Sequence, residues 1–125
     1  VVGLGSNIRP QTNIKMAIQT LRRDFKVTKK SRFVRTKPIG NIKQADFING
    51  AVLVKTSLNY NSFRKSLKNM EKELGRKKSK VKFGPRSIDL DIIVWNNRIT
   101  DRDFYKRLFL KKAVLSLLPR LQFKK

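Results

Sequence analysis

The chain has 125 residues, about one domain with a single packed core. Its 39% hydrophobic fraction, with eight Phe, argues against disorder, and the longest apolar runs, AVLV and IIVW, are too short to span a bilayer. Thirty-one Lys and Arg face only eight Asp and Glu, and there is no Cys or His, which excludes disulfides, thiolate or imidazole catalysis and Cys/His zinc sites.

A net charge of +23 implies an anionic partner such as a nucleotide or nucleic acid, against the plainer reading of lysines scattered over solvated faces. The lack of Cys fits a cytoplasmic protein. The first residue is Val rather than Met, which fits a start lacking a few residues. VVGLGSN runs too soon into a Gly/Ser/Asn loop for a signal peptide.

VVGLG reads as a short buried strand, and SNIRPQTN as the turn into a helix whose Ile14, Ala17, Ile18, Leu21 and Phe25 share one face. The glycines do not make a phosphate loop, because GK[ST] and a third Gly are missing; a tight strand-to-helix turn is expected. KVTKKSRFVRT reads as one strand at an edge, where Lys side chains deter unwanted pairing. KPIGNIKQAD is a loop and FINGAVLVKTS a strong strand. Tyr60 to Leu74 is a helix carrying Phe63, Leu67, Met70 and Leu74 on one face, with Gly75 as its cap. RKKSKVKFGP is a basic loop. RSIDLDIIVW is a strand and NN a turn, and a last helix is expected around Lys111 to Leu118, stopped by Pro119. The order is β-α-β-β-α-β plus a C-terminal extension. It predicts one α+β domain over residues 1–125, ferredoxin-like, with helices on one face of an antiparallel sheet.

In SIDLDII, alternation points Ile88, Leu90 and Ile92 one way and Asp89 and Asp91 the other. The two carboxylates share a face with Cα atoms roughly 6.5–7 Å apart, and they repel unless a cation lies between them. Without His or Cys that cation is a hard one such as Mg²⁺, held by one or two carboxylates together with substrate phosphates. Arg86 precedes the pair, and Arg76, Lys77, Lys78, Lys80 and Lys82 fill the loop before it. Metal-bridged phosphates and cationic clamps are what phosphoryl transfer asks of a protein. The rival reading is a solvated strand face paired with lysines.

GPRSIDLDI closely resembles the signature of the 6-hydroxymethyl-7,8-dihydropterin pyrophosphokinase family of folate biosynthesis. GLGSN, RTKPIG, DFINGAV and the Glu71-x-x-x-Gly75-Arg76 stretch match the same pattern in order, over the chain to about Asn97. The resemblance implies transfer of the terminal pyrophosphate of ATP to the pterin hydroxymethyl group, leaving AMP. It implies that Asp89 and Asp91 hold two Mg²⁺ ions, that Arg86 clamps the nucleotide, and that Arg76 and Lys78 help close the site. Phe83 stands for a loop Trp, and Glu71 lies at the nucleotide-site glutamate. Thr36, Pro38 and Ile39 would line the pterin pocket, Asn49 would hydrogen-bond the pterin edge, and Phe47 and Phe109 would stack on its faces. For both Phe, core packing is the rival role. The family's Val-Pro-His segment is shortened here to NNRITDRDFYKRLFL, which has no His. Either Tyr105, Lys106 or Arg107 replaces that phosphate contact, or nucleotide binding is weaker, or a stretch is missing; Arg107 is the expected substitute. The partners implied are ATP and the pterin, with no membrane, and the chain is expected to be a monomer. The alternative is a catalytically weak or inactive relative that binds RNA or another polyanion non-specifically through its basic surface. Two carboxylates beside a basic loop weigh against it, because they repel phosphate without a metal.

Overall fold

The computed structural model describes residues 1–38, 43–75 and 87–124. In chain order come β1 (Val2–Ser6), α1 (Pro10–Asp24), β2 (Lys26–Lys30), β3 (Val34–Thr36), β4 (Phe47–Lys55), α2 (Tyr60–Glu73) and β5 (Asp89–Ile92). A short ladder of β6 (Val94–Trp95) and β7 (Arg98–Ile99) follows, then α3 (Asp103–Lys106) and α4 (Leu108–Leu117). The main sheet is antiparallel in the order β2-β4-β1-β5, with β3 also on β4. This is the expected ferredoxin-like order, with β2 at an edge.

Local chemistry sets the helix ends. Pro10 occupies the first turn of α1, where its missing N–H removes no bond, after Arg9 in the left-handed region at φ 42°. The Asn59 side chain caps α2 by accepting the Ser62 N–H at 2.8 Å. Gly75, at φ 89°, stops it as expected. Asn96 and Asn97, both at positive φ, make the tight turn between β6 and β7.

Two apolar clusters sandwich the sheet. Val2, Leu4, Val52, Leu90 and Ile92 pack on one face against Ile14, Ala17, Ile18 and Leu21 of α1 and Phe63, Leu67 and Met70 of α2. On the other face Ala51, Ile93 and Val94 pack against Phe104 and against Leu110, Ala113, Val114 and Leu117 of α4. The C-terminal extension is therefore a third layer. Its helix begins at Leu108, three residues earlier than expected, and ends at Leu117.

The stretch expected as one strand from Lys26 to Thr36 is two strands, β2 and β3, both on β4. At the break the Ser31 N–H donates to the Ala51 carbonyl at 2.8 Å, and the Ser31 hydroxyl accepts the Ala51 N–H at 2.9 Å. The Phe33 ring lies on Gly50, where a Cβ would sit 2.5–2.6 Å from ring carbons. A straight strand would not carry that ring over the glycine. The acid strand also ends early, at Ile92, and Ile93 turns into the second cluster.

Gly50→Ala is expected to destabilise the fold by about 1–3 kcal/mol through overpacking. Phe33→Leu should recover part of that loss, a non-additivity that urea melts of the two single variants and the double variant would measure.

Candidate active site

The register brings the site together. Across the sheet Gly5 is opposite both Asn49 and Asp89, and Gly3 is opposite both Ala51 and Asp91. All of these residues lie on the face turned away from α1 and α2. α4 covers part of that face: a Cβ on Gly3 would lie 3.7 Å from Leu110 Cδ1. Beyond α4 the face is open, and a cavity of about 240 Å³ forms there. Thr36, Phe47 and Asn49 line it, as do Asp89, Asp91, Arg107 and Phe109. The geometry thus gathers residues from both halves of the sequence-based site.

The two glycines are part of the construction, a role that reading VVGLG as a short buried strand did not assign to them. They sit inside β1, and the turn comes later, at Asn7–Arg9. A Cβ on Gly5 would run into Asn49 Oδ1. With that room, the Asn49 amide lies across the strand and its Nδ2 donates to the Thr36 hydroxyl. That bond orients the amide. The available signal was glycine at alternate positions of a strand, which marks close approach of another group.

Leu90 faces the core, fully buried, between the two acids. β5 is the edge strand of the sheet, and α2 satisfies the outward peptide groups of Leu90. Glu71, only 2% exposed, accepts the Leu90 N–H at 2.7 Å. Lys68 donates to the Leu90 carbonyl at 3.1 Å, to Glu71 Oε2 at 3.3 Å and to Asp91 Oδ1 at 3.1 Å. Glu71 thus lies between helix and strand and does not line the cavity. No sequence signal marked Lys68, which is one lysine among many.

Asp101 and Asp103 also line the cavity, so four of the chain's eight acids converge on it. TDRDF repeats the D-x-D spacing of DLD, and that was the missed signal. Asp101 Oδ1 accepts the Asp103 N–H at 2.9 Å. Burial pushes the Asp101 carboxyl above its ordinary range, and the charges of Asp103 and Asp91 act the same way. The hydrogen bond from Asp103 and the Arg107 guanidinium oppose that rise. Arg107 Nε lies 3.7 Å from Asp103 Oδ2, one helical turn away. Of the three residues considered as substitutes for the missing His, Arg107 lines the cavity, whereas Tyr105 and Lys106 are exposed and do not. Lys37 adds a second cation to the lining. Pro38 is half-buried and outside the lining. Ile39, Arg76, Lys78, Phe83 and Arg86 lie outside the described residues.

A βαββαβ sheet with acids, an arginine and two aromatic rings around one cavity has the layout of a small phosphoryl-transfer enzyme. The family model for 7,8-dihydro-6-hydroxymethylpterin-pyrophosphokinase matches residues 1–119, and the chain belongs to that family. It is 37% identical to the 2-amino-4-hydroxy-6-hydroxymethyldihydropteridine pyrophosphokinase of Bacillus subtilis (strain 168), over 97% of this chain and 78% of that protein. It is 33% identical to the protein of the same name from Aquifex aeolicus (strain VF5), over 97% of this chain and 77% of that protein. A folate synthesis bifunctional protein of Arabidopsis thaliana is 36% identical over 76% of this chain and 20% of its own length.

The raised Asp101 makes a pH prediction. The native chain holds that proton to higher pH than the unfolded chain does, so stability falls as pH rises from the ordinary carboxylate range through the folded value. Asp101→Asn keeps an oxygen for the Asp103 N–H and removes the charge. Thermal melts of variant and parent should coincide at acid pH, below the carboxylate range, and the variant should melt higher at neutral pH. A variant that melts lower at neutral pH would contradict this account.

Proposed function

We infer that the chain transfers pyrophosphate from ATP to 6-hydroxymethyl-7,8-dihydropterin, a step of folate biosynthesis. The hydroxymethyl oxygen bonds to the β-phosphorus, the bond from that phosphorus to the oxygen of AMP breaks, and the hydroxyl proton is released. The observation that carries the reading is one cavity lined by an acid pair, an oriented amide and two aromatic rings.

Asp89 and Asp91 offer hard oxygen donors, and their strand places both toward the cavity. Among the described residues no group of three or more His, Cys, Asp or Glu is arranged to hold an ion. A carboxylate pair that needs substrate phosphates and water to complete the shell suits Mg²⁺, so the residues fit it, and we take them to hold two such ions. When bound, Mg²⁺ neutralises phosphate charge as the transfer proceeds.

The chain's own groups supply the rest. Arg107, steadied by Asp103, donates to phosphate oxygens. Asn49, fixed by Thr36, pairs with the pterin edge and sets the hydroxymethyl group toward the acids. Phe47 and Phe109 stack on the ring, and Pro38 and Ile39 are assigned to the pterin pocket on the basis of the family resemblance. Glu71 holds β5 in place under the nucleotide. Arg76, Lys78 and Arg86 are assigned as phosphate clamps on the basis of the family resemblance. Positioning of this kind is the main protein contribution to phosphoryl transfer. The direct test is AMP release from ATP and Mg²⁺, expected only when the pterin is present. Pterin-independent release, or none at all, would overturn the assignment.

Asp89→Ala and Asp91→Ala are each expected to slow transfer by about 10²-fold or more, the scale of losing one charge-stabilising element. Both variants should remain folded, because one of two repelling carboxylates is removed. Near-normal turnover would end the metal assignment.

Arg107→Ala loses a charge-assisted hydrogen bond of about 1.5–3 kcal/mol, so Mg²⁺–ATP affinity should fall about ten- to hundred-fold. Calorimetry should find pterin binding nearly unchanged in that variant. Gly5→Ala should do the reverse, because its Cβ displaces the Asn49 amide: pterin binding weakens while nucleotide binding is retained.

A further inference from the structure

Lys68 has a role that the transfer chemistry leaves unassigned. An ammonium has three N–H donors. Here they meet three acceptors: the Leu90 carbonyl at 3.1 Å, Glu71 Oε2 at 3.3 Å and Asp91 Oδ1 at 3.1 Å. The contact with Glu71 lies within α2, and the one with the Leu90 carbonyl joins α2 to β5. The third reaches around the strand edge to a cavity carboxylate. The Lys68 side chain is 32% exposed and that of Asp91 50%, so the contact is open to exchange with ions from solvent. Glu71 is 2% exposed, which anchors the other end of the ammonium in the protein.

We propose that Lys68 is a tethered counter-ion for Asp91, one that competes with free divalent cations and gives way when a cation arrives bound to polyphosphate. This rests on the reading of Asp91 as a metal ligand. A cation approaching Asp91 alone meets the fixed positive charge of Lys68 and must displace it. A cation carrying polyphosphate offers the displaced N–H a new acceptor, while Leu90 and Glu71 keep the ammonium within reach. Lys68 is then a positioning residue that ties metal entry to nucleotide entry. A purely structural clasp would couple the two ligands in no such way.

The test is Mn²⁺ binding, followed by electron paramagnetic resonance, with and without α,β-methylene-ATP. Lys68→Met should bind free Mn²⁺ about three- to five-fold more tightly than the parent, the scale of one partly exposed ion pair. With the analogue present the same variant should bind Mn²⁺ more weakly than the parent. Lys68→Arg, which keeps the charge, should follow the parent, and Lys68→Gln gives a second neutral variant should the Met variant fail to fold. In an Asp91→Asn background the free-metal effect of Lys68→Met should vanish. Equal or weaker free Mn²⁺ binding by both folded neutral variants overturns the proposal and leaves the transfer reaction standing. Absence of Mn²⁺ binding by the parent even with the analogue overturns the metal reading of Asp91, and this proposal with it.

Discussion

The exposed edge of β5 is the constraint on which the site depends. An edge strand has peptide groups without a strand partner, and a strand that slips by one residue turns all its side chains over. Here that slip would drive Asp89 and Asp91 into the apolar cluster and Leu90 into the cavity. α2 prevents it by bonding both outward groups of Leu90, the N–H to Glu71 and the carbonyl to Lys68. A buried backbone N–H on a carboxylate is a charge-assisted bond worth roughly 1.5–3 kcal/mol, and losing its acceptor leaves the N–H unsatisfied. The same helix packs Phe63, Leu67 and Met70 into the core on that face. Core packing and the aim of the two acids are thus held by one element.

The charge distribution works on two length scales. At long range a chain of net charge +23 draws in polyanions, with an attraction screened beyond about 10 Å at moderate salt. At short range four carboxylates line the cavity, with Arg107 and Lys37 beside them. Phosphate entering alone meets repulsion there, and phosphate accompanied by a divalent cation does not. Composition by itself pointed equally well to a nucleic-acid surface. The gathering of half the chain's scarce acids in one cavity is not something such a surface would use.

Much of the fold was legible because it is written in local periodicity. Ile14, Ala17, Ile18 and Leu21 define α1, Phe63, Leu67 and Met70 define α2, and both faces are buried as the spacing requires. The alternation of Ile88, Leu90 and Ile92 with Asp89 and Asp91 was equally readable, since it needs no partner strand. What escaped depends on contacts between distant positions. The break between β2 and β3 follows from Phe33 meeting Gly50, and nothing within KVTKKSRFVRT announces it. Gly3 and Gly5 acquire meaning only once the register sets them opposite Asp91, Asp89 and Asn49. Lys68 acquires its meaning from the edge of a strand more than twenty residues away. Arg76, Lys78 and Arg86 were singled out as cations beside the acid pair and by resemblance, and they lie outside the described residues.

The stretch after the acid strand reaches the cavity because it is tied back to the strand it leaves. β6 and β7 reverse the chain over a two-residue turn. Thr100 then returns to the end of β5: its N–H donates to the Ile93 carbonyl at 2.9 Å and its hydroxyl to the Ile92 carbonyl at 3.1 Å. Asp101 follows at once, beside the acid pair. The Phe104 ring, fully buried and edge-on to Phe123 at 5.1 Å, pins α3 to the second cluster. Asp101 and Asp103 lie between the anchored Thr100 and Phe104, and Arg107 lies one turn beyond Asp103. α4 starts immediately afterwards, so Leu110 packs into the core, while Phe109 packs against the same cluster and also lines the cavity. A compact hairpin and one buried ring therefore bring both acids, the arginine and the aromatic to the cavity.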